Sequence, residues 1–372
     1  MGTKDTAGIL DRYVQTVYPS REHAEKRFQS GEKLTFYLGI DPTGPHIHLG
    51  HSTNLLWLKK LQSLGHEVIL LIGDFTARVG DPSDKTAART ALTSEEVEEN
   101  MKTYLEQVEQ ILAPGTFSVR YNSEWLSPLT FEEVIRLASS VTVQQVIQRD
   151  MFQERLKQGK PIYLHEFLYP LMQGYDSVAM RVDGEVGGND QTFNMLMGRA
   201  LEEKLINKDK LVITTSLLED PETKEKIMNK SKGTAIFLDD SPQEMRRKIL
   251  ALDDRLIRFV FELCTEAPMD SMQKMLAEKP RDQKEALAAE LIRMYHGEDA
   301  VAQAGEAIEV HQTGQLDAVL KDAGLAASLS EAKRLIEQKA IEVNGETVTD
   351  WHYILKAGDT LRVGKGRFAK II

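Results

Sequence analysis

The chain has 372 residues, of which 41% are hydrophobic and 28% charged, and its formal net charge is −11. That length exceeds one compact core and suits two or three domains, and the composition is that of an ordinary folded chain, so disorder is not the default reading. The single cysteine, Cys264, excludes an internal disulfide and a thiolate metal cluster, and no apolar run approaches a membrane span. With no basic-then-apolar stretch between Met1 and Arg12, the expected location is a reducing cytoplasm, away from any membrane.

Residues 34–40 read as a strand that runs into Asp41-Pro42-Thr43-Gly44-Pro45. The following His46-Ile47-His48-Leu49-Gly50-His51 opens an amphipathic helix expected to reach Leu64. A helix amino terminus offers free N–H groups and positive potential, which suits a phosphate. His48 and His51 lie three apart, so both can donate to phosphate oxygens, and Gly50 lets a nucleotide approach the backbone. Metal binding is the rival for paired histidines, but no Cys or carboxylate triad accompanies them; loop histidines without a role are the third possibility.

Residues 66–74 carry a continuous apolar run and read as a buried strand. Residues 95–112 read as one helix opened by Thr93-Ser94-Glu95-Glu96, and residues 117–121 and 211–215 as further strands. This alternation predicts an α/β fold with a mostly parallel sheet, in which ligands bind at the carboxyl ends of the strands. Between those strands, Tyr169, Gln173 and Asp176 share one face of a predicted helix. They are either a core face satisfied by its neighbours or a pocket that hydrogen-bonds a small polar aromatic ligand. Gly187-Gly188-Asn189-Asp190-Gln191 suits close approach to a ribose, with the Asp190 carboxylate accepting its hydroxyls.

The lysine-rich segment Lys224-Glu225-Lys226-Ile227-Met228-Asn229-Lys230-Ser231-Lys232-Gly233 is either a solvated loop or a source of charge for a leaving pyrophosphate. From Ser241 to about Gln312 the pattern is helical throughout, with segments at 245–252, 256–263, 269–276, 284–295 and 299–310 and no strand signal. Beyond Gly314, two short helices at 316–323 and 329–338 precede a hairpin over Ile341–Val348 with an Asn344-Gly345 turn, and then a strand at 360–363. Residues 314–372 hold nine Lys/Arg against eight Asp/Glu, so the acidity resides in the rest of the chain, which permits a polyanion at the carboxyl end.

Together these residues resemble the tyrosyl branch of class I aminoacyl-tRNA synthetases across essentially the whole chain. His48-Leu49-Gly50-His51 corresponds to the HIGH signature and Met228-Asn229-Lys230-Ser231 to KMSKS. Tyr37–Thr43, Gly73-Asp74-Phe75-Thr76, the Tyr169 face and the Gly187–Gln191 turn complete the match. The resemblance implies three parts: a Rossmann-like catalytic domain at 1–235 including the loop 224–233, a helical anticodon-binding domain at 236–312, and a small α+β, S-four-like RNA-binding domain at 313–372. It implies activation of L-tyrosine by ATP, with magnesium on the triphosphate, then transfer to the tRNA for tyrosine. No organic cofactor or protein-held metal is implied, and a homodimer is expected through the region 125–168.

By the same resemblance, Tyr37 and Asp176 hold the phenol hydroxyl, and Asp74, Tyr169 and Gln173 the ammonium. Asp41 and Gln191 line the adenylate, Gly50 and Gly188 admit the nucleotide, and Asp190 binds ribose. Thr43, His48 and His51 contact phosphates, with Lys230 and Ser231 closing over them. Lys333, Arg334 and Lys339 are phosphate contacts of the RNA-binding part. Without a gap, Ile227 takes the place of the first signature lysine and Asn229 that of the first serine, so that lysine's role is either taken by Lys226 or lost. Two rivals stand beside this reading: a nucleotidyltransferase with another acceptor, and a catalytically inactive relative that binds RNA.

Overall fold

The structure, a computed structural model, describes residues 8–83, 92–223, 225–229, 233–304, 308–364 and 367–372, the side chains at 308, 309, 367 and 368 apart. The chain divides into two compact units, residues 1–239 with 258–269, and residues 240–257 with 270–372.

The first unit is built on a six-stranded sheet: β1 (Val14–Tyr18), β2 (Thr35–Ile40), β3 (Glu67–Ile72), β4 (Ser118–Tyr121), β5 (Gly184–Gly188) and β6 (Leu211–Thr215). Its spatial order is β1-β6-β5-β2-β3-β4. All neighbours run parallel except β1, which pairs antiparallel with β6 at the edge. The run from Val68 to Ile72 is buried apart from a half-buried Ile69, as a strand covered on both faces requires. From β2 the chain builds outward through β3 and β4, then returns to add β5 and β6 on the other side. The order therefore reverses between β2 and β5, and a crevice opens beyond their carboxyl ends.

The helix Leu49–Ser63 is buried along much of its length, with Leu55, Leu56, Trp57, Leu58 and Leu61 in the core, so its amino terminus is held firmly at that crevice. It starts at Leu49, within the stretch 46–51 expected to open it, because His48 caps it through its ring. The helices Tyr169–Met180 and Thr192–Ile206 pack closely at Gly174, where a Cβ would stand 2.9 Å from Leu201 Cδ1 and 3.2 Å from the Gly198 nitrogen. The single helix predicted over 95–112 is two, Ser94–Met101 and Tyr104–Glu109.

In the second unit, helices Pro242–Leu250 and Pro280–His296 are joined by the fork of Arg246 on Glu285, at 2.9 and 2.6 Å. The helix predicted over 299–310 is a correction: it ends at Gln303, and Ile308–Val310 is a strand. That strand pairs in parallel with Arg367–Ile371, in a register that joins Ile308 to Ala369, a distant partner that local periodicity does not register. The full sheet runs Glu346–Thr347, Ile341–Val343, Thr360–Val363, Arg367–Ile371, Ile308–Val310, and closes over Leu316, Val319, Leu320 and Ile336. Asn344 and Gly345 both take positive φ, 53° and 86°, as the hairpin turn requires. Among the described residues no helix is long and apolar enough to cross a membrane.

Candidate active site

A cavity of about 470 Å³ lies at the switch between β2 and β5. Tyr37, Asp41, Thr43, His48, Gly50, His51, Tyr169, Gln173, Asp176, Gly188, Asp190 and Gln191 all line it. Residues drawn from well-separated stretches of sequence thus share one space.

Tyr37 and Asp176 are buried members of the lining, 0% and 2% exposed. Burial pushes the Asp176 carboxyl well above the usual carboxylate range, opposed by hydrogen bonds from Trp125 Nε1 at 2.7 Å and Asn122 Nδ2 at 3.4 Å. The Tyr37 hydroxyl meets Ser177 Oγ at 3.0 Å. Asp41 accepts from the Tyr169 hydroxyl and from Thr76 Oγ1, each at 2.7 Å, so β2, β3 and the helix Tyr169–Met180 are tied at the cavity wall.

Asp74 is placed differently from its neighbours in the motif. It is not among the lining residues, and its carboxylate accepts from the Ser123 nitrogen at 2.9 Å and the Ser123 hydroxyl at 2.5 Å. The carboxylate that lines the cavity from this stretch is Asp81, which accepts from Gln191 Nε2 at 2.8 Å. The sequence carries its signal in Gly80-Asp81-Pro82-Ser83, a turn-forming run just past the strand. The 3₁₀ turn Thr76–Arg78 brings it back. Glu185 also lines the cavity, bound by Gln173 Nε2 at 3.0 Å and by the buried Lys210. Neither Glu185 nor Lys210 bears a sequence mark.

The histidine turn is rigid. His48 Nδ1 accepts from the Gly50 nitrogen at 3.1 Å, His51 Nδ1 accepts from the His48 nitrogen at 3.3 Å, and the two rings stack with centroids 3.9 Å apart. A Cβ on Gly50 would stand 3.0 Å from the His48 ring, so only glycine leaves that stack undisturbed. Gln107 bonds the Ile47 nitrogen at 2.6 Å and the Pro45 carbonyl at 2.9 Å, and this fixes the approach. Behind the turn, the thiol of Cys264 rests against the Leu49 carbonyl at 3.5 Å, and burial pushes its pKa up to about 12.

The chain just beyond the lysine-rich segment is stitched to the same turn: Leu49 donates to the Ile236 carbonyl and Leu238 to that of Ile47. Ile227 is buried and donates its N–H to the Leu218 carbonyl, whereas Lys226 lines the cavity and reaches Asp190 Oδ2 at 3.0 Å. The ungapped first-lysine position thus faces the core, and the lysine one place earlier faces the cavity. Lys230 and Ser231 lie outside the described residues.

In the second unit, Lys333 sits over the Trp351 ring at 4.2 Å and 3.8 Å from Asp317, while Arg334 and Lys339 are exposed.

The reversal of strand order at a crevice bordered by the histidine turn agrees with the class I synthetase fold that the sequence resemblance implies. The chain belongs to the tRNA synthetases class I (W and Y), whose family model matches residues 29–311, and an S4 domain model matches residues 315–361. It is 44% identical to the tyrosine–tRNA ligase of Carboxydothermus hydrogenoformans, across 98% of this chain and 97% of that one. It is 40% identical to that of Thermotoga maritima, across 100% and 98%. Among solved structures, a truncated mitochondrial tyrosyl-tRNA synthetase of Aspergillus nidulans shares the fold (TM-score 0.66, 24% identity, 80% of this chain and 91% of that). The Archaeoglobus fulgidus tyrosyl-tRNA synthetase complexed with L-tyrosine does likewise (TM-score 0.62, 22% identity, 80% and 97%).

Proposed function

We propose that this chain is a tyrosine–tRNA ligase that forms tyrosyl-adenylate and transfers tyrosine to its tRNA in the one cavity. The observation that carries the reading is the pairing of a buried Tyr37 and Asp176 in the same space as the histidine turn and Asp190. A phenol placed between Tyr37 and Asp176 accepts from one and donates to the other. A ligand without that hydroxyl leaves both groups unpaired; a preference of roughly 10⁵-fold for tyrosine over phenylalanine is the established figure for tyrosyl enzymes as a class.

The ammonium falls to Asp81, Tyr169 and Gln173, with Asp74 acting one layer back through Ser123. Asp41 and Gln191 line the adenylate, Gly188 admits it, and Asp190 takes the ribose hydroxyls. Thr43, His48, His51 and Lys226 face the phosphates, joined by Lys230 and Ser231. The tyrosine carboxylate attacks the α-phosphorus of ATP and pyrophosphate leaves. A ribose hydroxyl of the terminal tRNA adenosine then attacks the adenylate carbonyl and AMP leaves. No side chain forms a covalent intermediate, so positioning and charge stabilisation supply the rate. Magnesium is proposed as a companion of the ATP substrate, held mainly by the triphosphate oxygens.

The stretch 236–312, helical up to its closing strand Ile308–Val310, is the proposed anticodon reader, and residues 313–372, through Lys333, Arg334 and Lys339, hold RNA phosphates. A homodimer is proposed through the 125–168 region, where Phe131 and Leu164 are 81% and 79% exposed and Ile135 and Val143 also face outward. The proposed compartment is the cytoplasm. The test is tyrosine-dependent ATP–pyrophosphate exchange with tryptophan and phenylalanine as controls. Exchange with tyrosine alone is expected, and exchange with tryptophan instead would overturn the assignment.

A further inference from the structure

At the cavity wall Glu185 is paired with a lysine behind it, Lys210, for which the proposed chemistry has no use. Lys210, immediately before β6, is 0% exposed, and its partner Glu185 is 2% exposed. Such a pair is costly to bury and is weak support for stability by itself. The space around it is nonetheless specifically built. A Cβ on Gly198 would press into the Lys210 ammonium and the Ser177 hydroxyl, so the helix Thr192–Ile206 carries a glycine where the ammonium sits.

We propose that Lys210, which is not itself a lining residue, is the positioning residue that makes Tyr37 a hydrogen-bond donor to the substrate phenol. An ammonium has three protons to give and nothing with which to accept. Those of Lys210 go to Glu185 Oε2, to Ser177 Oγ at 2.6 Å and to the Met195 carbonyl at 3.3 Å. Ser177 therefore accepts from Lys210, and its own proton goes to its other hydroxyl partner, Tyr37 Oη, at 3.0 Å. Tyr37 accepts that bond and keeps its phenolic proton for another acceptor.

Glu185 is the rival for the proton, since it also interacts with the Tyr37 hydroxyl. Its two oxygens already accept from Lys210 and from Gln173 Nε2 at 3.0 Å, which draws off its charge and weakens it as an acceptor for a further proton. An oxygen that enters the cavity competes with Glu185 for the Tyr37 proton. The ammonium also stands 5.6 Å from the centre of the Tyr37 ring, which holds that ring in place. One hidden cation thus sets the direction of a hydrogen-bond chain that ends on the substrate, and through Glu185 it aims Gln173 as well. With Lys210 or Ser177 removed, Tyr37 loses the donor that fixes its orientation and presents a proton or a lone pair indifferently.

This inference rests on tyrosine being the substrate. The experiment measures pyrophosphate exchange with tyrosine and with phenylalanine on the full chain, as wild type, as Ser177→Ala and as the charge-balanced double variant Lys210→Met/Glu185→Gln. Ser177→Ala leaves the ion pair in place and tests the relay even if the double variant fails to fold. The tyrosine preference is expected to fall about ten-fold or more in each, the loss of one hydrogen bond in kcat/KM. In Ser177→Ala that loss falls on tyrosine alone, with phenylalanine activation and the KM for ATP unchanged; the double variant also frees Gln173, so it is read by the Tyr/Phe ratio. If wild type prefers tyrosine and Ser177→Ala keeps the same preference, this inference is overturned alone. A wild type that activates no tyrosine overturns the substrate reading and this inference with it.

Discussion

Lys226 Nζ lies 3.0 Å from Asp190 Oδ2, so the cation at the mouth of the cavity rests on the carboxylate proposed to bind ribose. Nucleotide binding has to exchange that contact for ribose hydroxyls, which frees the ammonium for the phosphates. Lys226→Met is expected to lower the exchange kcat by about 10- to 100-fold, in the range of losing one charge-stabilising group. The KM for tyrosine should move less than about two-fold. Steady-state exchange at varied ATP and tyrosine checks both.

The two candidate ammonium carboxylates separate cleanly by substitution. Asp81→Asn is expected to raise the KM for tyrosine about ten-fold or more, the value of a charged hydrogen bond. Asp74→Asn removes a partner of Ser123 and is expected to lower thermal stability while changing the KM for tyrosine much less. The reverse ranking would return the role to Asp74.

Asp176→Ala is expected to abolish the preference for tyrosine over phenylalanine, because it removes the acceptor for the phenol proton. Unchanged Tyr/Phe ratios in the exchange assay would sink the assignment of this residue.

Stability should respond to pH through Glu202. Both of its carboxylate oxygens are buried without a hydrogen-bond partner, and burial raises its pKa from 4.5 to about 7, opposed by Lys210. The folded chain therefore binds the proton more tightly than the unfolded chain. Its stability is full below the unfolded value and falls as pH rises through about 7. Glu202→Gln is expected to be equal to wild type near the lower value and more stable at pH 8 by on the order of 2–3 kcal/mol. Denaturant titrations at the two pH values read the difference.

Charge reversal in the carboxyl-terminal unit should separate the two reaction steps. Arg334→Glu/Lys339→Glu is expected to leave tyrosine activation unchanged, to weaken tRNA charging about ten-fold, and to flatten its salt dependence by about two phosphate contacts. Undiminished charging would exclude this face from RNA binding.

Local chemistry carries most of what the sequence discloses. The strand–turn–helix from Tyr37 to His51, the Gly-rich turn before Asp190 and the Asn344-Gly345 hairpin are each written within a few residues, and each forms where its pattern places it. β1 pairs with a strand near residue 213 and Ile308–Val310 with one near residue 370, and local patterning specifies neither. The site divides on the same line. Tyr169, Gln173 and Asp176 share a helix face that periodicity reveals. The choice between Asp74 and Asp81 turns on a single 3₁₀ turn, and Lys210 is marked only by its burial after folding. For Lys226, a one-residue offset in a lysine-rich run becomes decisive because Ile227 is apolar and enters the core.

The sole sulfhydryl of the chain, Cys264, stands against the first carbonyl of the helix that His48 caps. With its pKa near 12, and with no solvent access, it is inert toward alkylating reagents at neutral pH for as long as that contact holds. The rate at which a thiol dye labels the native protein is therefore a clock for local opening behind the histidine turn. Ligands that bind only the closed turn should slow the clock in proportion to their occupancy, giving a label-based binding curve without any engineered probe.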